Sequence, residues 1–452
     1  MADVAATLDI GSQAVKRTGL AAQIGYGVGQ IAGQVFRDLP SLLLLFFMTT
    51  VLGISPAIAG AAIFVPKLVL GAVCDVGVGI MSDRLRHKVA RRWWLLVGVF
   101  GAPLAMILLF HVPDGSTTLQ VGYIAGVFTL YMAVFGGFSV PYLAMAGDLT
   151  TTPRDRSVVM AWRLVFTAVG ILTSGMLAPN LIQHWGGGQD AYEKMSLVLA
   201  AVCPTALLVT FFATGKSTPR PGPSLAASIS TTRLTPREAM RVLFRSRFGT
   251  LLTATLLQLT GAGMGFATML YFLTYNMARA DAFQLIGGLV VAACAAIVIA
   301  QPLWLAVSTR FGKLPGYLIA TFLYAICYAI WAFAADWGVV VAYTLSFVAA
   351  IGQSGWTMLG FSMMSDIAAE DNRNAGLYSA AWIATDKISF ALGGTLLVGV
   401  ILSAFGFDSA KAVLGQPQSD SALLGVMIAF GITPAVLNVV GALLLARWGR
   451  HH

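Results

Sequence analysis

Apolar runs of about 20 residues or more recur along this chain, separated by short polar stretches. A run of that length spans the hydrocarbon of a bilayer as a helix, because lipid offers no partner to an unpaired backbone N–H or C=O. The pattern predicts twelve such helices, over about 20–50, 57–82, 93–112, 119–146, 158–182 and 193–214, then 248–277, 283–308, 314–335, 337–365, 374–404 and 421–447. One long polar stretch, Lys216 to Arg247, divides them six and six. Its Pro/Ser/Thr-rich first part reads as a linker. Its second part opens with Thr235-Pro236-Arg237-Glu238, a helix-start pattern, and predicts a short amphipathic helix on the membrane surface. The expected architecture is an all-α membrane protein. It has an N-terminal segment (1–19), a six-helix bundle (20–214), a cytoplasmic linker (215–247), a second bundle (248–447) and a tail (448–452).

Composition agrees with this pattern. Of 452 residues, 58% are hydrophobic and only 10% charged, where a soluble protein carries about 25% charged residues. The net charge of +9 would suggest nucleic acid in a soluble protein. Here the basic residues cluster in alternate loops instead: Arg84, Arg86, Lys88, Arg91 and Arg92; Arg154 and Arg156; the linker; Arg310 and Lys313; Arg447 and Arg450. By the positive-inside rule these loops and both termini are cytoplasmic, and no nucleic-acid partner is expected. The N-terminal residues have no signal-peptide core. The expected location is a plasma membrane, the inner membrane of a bacterium, with the protein a monomer. Cys74, Cys203, Cys294 and Cys327 all fall in apolar runs and read as packing residues. No terminal role is assigned to Arg450-His451-His452.

A weak repeat supports the six-plus-six division. Ser82-Asp83-Arg84 closes the second helix, and Ser308-Thr309-Arg310 closes the eighth, half a chain later. Two such halves place a substrate site at their interface, near the membrane midplane.

The candidate chemistry lies inside the spans. Tyr26, Gln30, Gln34 and Asp38 are spaced by four, which puts them on one face of the first helix, with Arg37 beside them. Asp75 sits near the middle of the second helix between Gly71 and Gly79. A charge at that depth costs about 2.5–3.5 kcal/mol on insertion scales, so it is expected to face a cavity and to serve transport. Lys387, next to Asp386 in the eleventh helix, is the opposite charge from the second half; Arg163 in the fifth is a further cation. Lys67 either pairs with the first helix or snorkels. Tyr142, Trp162, Tyr271, Trp356 and Trp382 are candidate pocket walls, since aromatic faces stack on sugar rings or on apolar parts of a substrate, although each alone is more often a packing residue. Asp83, Arg84, Arg154, Arg156, Asp366 and Arg373 are candidate gate residues at the cytoplasmic ends. No metalloprotease, phosphate-loop, dinucleotide or hydrolase signature competes, and no metal site or cofactor is expected.

These residues resemble the glycoside–pentoside–hexuronide cation symporters of the major facilitator superfamily, the melibiose-permease-like family, over nearly the whole chain. Tyr26-Gly27 with Thr49 to Ser55 is similar to the family's helix 1 frame. Asp75 with Gly79 resembles its helix 2 cation motif, Val140 to Arg163 its helix 4–5 signature, and Met363 to Gly394 its helix 10–11 signature. The resemblance implies a cation-site role for Asp75, a partner role near that site for Lys387 and a cavity role for Arg163. It also shows departures. The family's other helix 2 aspartate falls at Gly71, the often polar position before Asp75 is Cys74, and two sugar-reading carboxylates fall at Gln34 and Ser139.

A sodium ion prefers several hard oxygen ligands, whereas a proton needs one carboxylate. The expectation is therefore a proton-coupled symporter of a glycoside or sugar-like molecule, with Asp75 as the coupling carboxylate, Asp38 as its alternative and sodium as the alternative ion. A lysophospholipid or another amphiphilic or anionic molecule is the alternative substrate. An uncoupled facilitator or a membrane sensor is the remote alternative.

Overall fold

The computed structural model describes residues 19–85, 88–150, 153–215, 242–244, 247–371 and 375–448. Most of the expected surface helix of the linker lies outside these residues, as does Arg373. Among the described residues, eleven helices are long and apolar enough to cross a membrane. A thirty-residue helix, Pro56–Leu85, takes the remaining place in the order. We number them α1 (Leu20–Thr50), α2 (Pro56–Leu85), α3 (Arg91–Phe110), α4 (Thr117–Leu149) and α5 (from Pro153–Leu172 through to Ala178–His184). Next come α6 (Gly188–Ala213), α7 (Arg247–Asn276), α8 (Ala282–Phe311) and α9 (Lys313–Phe333). The last are α10 (Val339–Glu370), α11 (from Ala375–Ala391 through to Val398–Ala404) and α12 (Asp420–Arg447). Each lies within a few residues of an apolar run.

Five of these helices contain a π-helical turn: Pro40–Leu44 in α1, Thr173–Leu177 in α5, Phe272–Asn276 in α7, Leu392–Leu397 in α11 and Ile428–Ile432 in α12. The turn in α1 has a visible cause. Pro40 has no N–H to return to the Phe36 carbonyl. That carbonyl accepts instead from the Tyr131 hydroxyl of α4 at 3.2 Å. A helix that would otherwise carry an unpaired polar group in lipid is thereby tied to its neighbour.

The basic side of the molecule is the one bearing Lys88, Arg91, Arg92, Arg310 and Lys313. There the two halves repeat one device. Arg91 at the start of α3 grips Asp148 at the end of α4 through Nη1 at 2.8 Å and 2.9 Å. Lys313 at the start of α9 holds Asp366 at the end of α10 at 2.5 Å. Both pairs stay within a half.

Contacts between halves gather at the opposite side. Thr49 of α1 and Tyr271 of α7 share a hydrogen bond of 2.6 Å. The Ser409 hydroxyl donates to the Ile54 carbonyl at 2.8 Å, and the Gln183 amide to the Ala280 carbonyl at 3.2 Å. α2 and α11 cross so closely that a Cβ on Gly60 would lie 2.5 Å from the Thr395 carbonyl oxygen. Glycine is required there because the obstacle is backbone. Among the described residues, these hydrogen bonds and this backbone approach close the two halves on each other at the side opposite the basic one.

Candidate functional site

The candidate site is built from charged and amide side chains of α1, α2, α5 and α11. Lys387 of α11 is ion-paired with Asp75 of α2, joining the two halves. Asp75 has space because α4 presents Gly136 to it: a Cβ there would lie 2.9 Å from Oδ1. Sequence reading assigned that space to Gly71 and Gly79 on the aspartate's own helix; the described neighbour that provides it is on α4. Asp75 remains 19% exposed and Lys387 43%, so the pair lines a solvent-accessible space.

A second pair lies one residue away. Arg37 of α1 reaches Asp386 of α11 with Nη2 at 3.2 Å and 3.3 Å from its two oxygens. Its guanidinium also lies 5.3 Å from the ring centre of Phe390, one turn further along α11. The sequence offered Asp38 as the neighbour of Arg37; the ion-pair partner is on the other half.

Asp38 belongs to a different line of contacts. Its Oδ2 accepts from Gln34 Nε2 at 2.7 Å. Gln34 Oε1 accepts from Gln30 Nε2 at 3.5 Å, and Gln30 Oε1 from Arg163 Nε at 2.9 Å. The four-residue spacing thus makes a hydrogen-bonded ladder along one face of α1, oriented from the cation on α5 to the carboxylate. The two glutamines are buried, and each amide has its partners as a buried polar group requires. Lys67 of α2 points inward rather than snorkelling: its ammonium donates to Ser41 of α1 at 3.0 Å.

Several expected wall residues do other work. Tyr26 and Tyr142 are buried and stacked at 4.6 Å, and each hydroxyl donates to the other's carbonyl at 3.2 Å and 2.8 Å. They pin α1 to α4 and face no cavity. Tyr271 is buried in the closed side against Thr49, Phe46 and Phe407. Trp356 is buried within the second half, edge-on to Tyr324 at 6.2 Å. Ser139, Trp162 and Trp382 are half-buried, Trp382 edge-on to Phe361 at 6.5 Å.

The expected gate residues divide similarly. Arg84 and Arg156 are exposed on the basic side. Asp366 is held by Lys313 within its own half. The side chains of Asp83 and Arg154, and the whole of Arg373, lie outside the described residues. Sequence reading missed two pairings, Arg37 with Asp386 and Arg91 with Asp148. The second had a signal: a basic residue and an acidic one at facing ends of consecutive helices.

Comparison with known proteins agrees with this architecture. The profile described as "MFS/sugar transport protein" matches residues 25–449. The inner membrane symporter YicJ of Escherichia coli (strain K12) is 24% identical over 436 residues, covering 94% of this chain and 91% of that protein. The isoprimeverose transporter of Lactiplantibacillus pentosus is 27% identical over 440 residues, covering 92% and 85%. Among solved structures, a bacterial homolog of the human lysosomal transporter Spinster, in an inward-facing and unoccupied conformation, superposes with a TM-score of 0.65 at 15% identity, covering 94% and 95%.

Proposed function

This chain belongs to the MFS/sugar transport protein family, and from that premise we propose that it is a proton-coupled symporter of a sugar-like molecule, working by alternating access in a bacterial inner membrane. The observation that carries this is the Lys387–Asp75 pair, which joins the two halves and stays partly open to solvent. An ion pair between moving halves is a two-state element. Protonation of Asp75 removes its attraction for Lys387, and the freed lysine becomes available to substrate. A symporter needs that linkage, because binding of either partner must alter the affinity for the other.

Two features support a proton over sodium. Asp75 adjoins Cys74, Gly136 and Lys387, a thiol, a glycine and a cation, where a hard ion would prefer oxygen ligands. A single carboxylate suffices for a proton.

One observation favours the anionic branch of the substrate class. Among the described residues, the candidate site gathers four cations, Arg37, Lys67, Arg163 and Lys387, against three carboxylates, Asp38, Asp75 and Asp386. Arg163 is anchored through Nε by a neutral amide, so the outer edge of its guanidinium fork is directed at something other than Gln30. A carboxylate or sulfonate on a polyhydroxy molecule would match it in a bidentate manner.

The test is a ligand panel on purified protein followed by thermal stabilisation, comparing uronides, neutral glycosides, free sugars and lysolipids, with and without sodium and at two pH values. Ligand bound only by the folded state raises its stability by mass action. Stabilisation by a uronide or glycoside, stronger at low pH and indifferent to sodium, is expected. Stabilisation by lysolipid alone, or only with sodium, overturns the reading.

A further inference from the structure

For Lys387 to meet Asp75, α11 must be held at one rotation about its axis. Adjacent helical residues point about 100° apart, so Asp386 and Lys387 reach different neighbours. Asp386 meets Arg37 on α1, and Lys387 meets Asp75 on α2. Two helices of one half therefore grip α11 from two directions. The Arg37 grip is itself doubled, since the guanidinium holds the Asp386 carboxylate and also lies by Phe390, one turn along the same helix. Asp38 does not compete for Arg37 by a direct ion pair, because Gln34 holds its carboxylate.

We propose that Arg37 is a positioning residue for coupling. By holding Asp386 and resting by Phe390, it sets the rotation of α11 that presents Lys387 to Asp75. This rests on the reading of Lys387–Asp75 as the coupling pair. The charged groups around that pair are Arg37 and Asp38 from α1, Lys67 from α2 and Asp386 from α11, while α4 presents Gly136 to it. Arg37 and Asp386 are the two that join elements of opposite halves by an ion pair without an ion pair to Asp75 itself.

The experiment is thermal unfolding of purified full-length protein, without substrate, from about pH 5 to about pH 9, because a group that titrates differently in the folded and unfolded states gives stability a pH-dependent step. The variants are Asp75→Asn, Arg37→Gln, Arg37→Lys and the exchanged pair Arg37→Asp with Asp386→Arg. The wild type is expected to show a component of that step that Asp75→Asn removes. Arg37→Gln moves it by about one pH unit or more, Arg37→Lys keeps it near its original place, and the exchanged pair restores it. Should Arg37→Gln not survive purification, Asp386→Asn removes the other partner and reads the same quantity. A uniform loss of stability at every pH, with the step unmoved, reduces Arg37 to packing and overturns the inference. A profile of Asp75→Asn identical to that of the wild type overturns the coupling reading instead, so the two failures are distinguishable.

Discussion

Lys387 and Asp75 are ion-paired across the interface of the two halves, from α11 to α2, while both remain in contact with solvent. A pair in that position can be opened by a proton arriving from solvent. Asp75→Asn is therefore expected to abolish substrate accumulation against a gradient while leaving exchange of internal for external substrate largely intact. Uptake driven by an imposed pH gradient, set beside counterflow in the same vesicles, checks this. Accumulation that survives in the variant would remove Asp75 from the coupling step.

Arg163 is anchored by a neutral partner, Gln30 Oε1 at 2.9 Å. Charge-assisted hydrogen bonds contribute about 1.5–3 kcal/mol. Arg163→Gln is therefore expected to weaken binding of an acidic sugar by about 10- to 150-fold. A neutral glycoside should lose much less. Paired binding curves for a uronide and its uncharged analogue check the difference; equal losses would mean that Arg163 only organises the glutamine ladder.

The closed side depends on backbone approach. A Cβ on Gly60 would sit 2.5 Å from the Thr395 carbonyl oxygen, and the oxygen cannot move without its helix. Gly60→Val should separate α2 from α11, at a cost of about 1–3 kcal/mol where overpacking is not relieved. The expected signature is faster maleimide labelling of a cysteine placed at Ser403, whose hydroxyl accepts from the Ala57 N–H across this seam. Unchanged labelling would show that the seam tolerates the extra atoms.

Much of the fold was legible because lipid imposes one requirement on every span. Apolar length alone located the twelve helices, and the isolated charges Asp75 and Lys387 stood out because a membrane tolerates few such groups. What the chain did not disclose was direction. Arg37 is followed immediately by Asp38, yet adjacent helical residues diverge, and the partner of Arg37 is 349 residues away on α11. The aromatics failed for a related reason. A tyrosine facing a cavity and one facing a neighbouring helix occupy the same inward stripe, so Tyr26, Tyr142 and Tyr271 could not be sorted by spacing. Gly136, which makes room for Asp75, lies on another helix and has no signal near the aspartate.

Outside the membrane, Arg279 and Asp281 form a two-bond pair of 2.7 Å each in the loop before α8. Hydrogen bonds from the guanidinium hold the Asp281 carboxyl below its usual range. The sign follows directly: a depressed folded pKa contributes stability above the unfolded value and loses it as the pH falls through the folded value. Because the pair is exposed and screened, Asp281→Asn should leave stability at neutral pH almost unchanged, and salt should narrow the small difference further. A large loss at neutral pH would show that the loop carries more of the closed side than its exposure indicates.

The stacked pair Tyr26 and Tyr142 separates packing from recognition most cleanly. Each hydroxyl donates to the other's backbone carbonyl, at 3.2 Å and 2.8 Å, and both rings are buried. The Tyr142 hydroxyl thereby reaches the Tyr26 carbonyl on α1, and the Tyr26 hydroxyl the Tyr142 carbonyl on α4, so the two bonds fasten one helix pair. Tyr26→Phe and Tyr142→Phe each delete one donor and leave a buried carbonyl with one partner fewer, a cost of about 0.5–1.5 kcal/mol. The two losses should not add, because the second phenylalanine acts on a pair already loosened. Substrate affinity should stay within about twofold of wild type, since neither hydroxyl opens on the cavity. Thermal unfolding and KM measured on the same preparations check both halves of this expectation. A KM that rises steeply while stability holds would return these tyrosines to the substrate site.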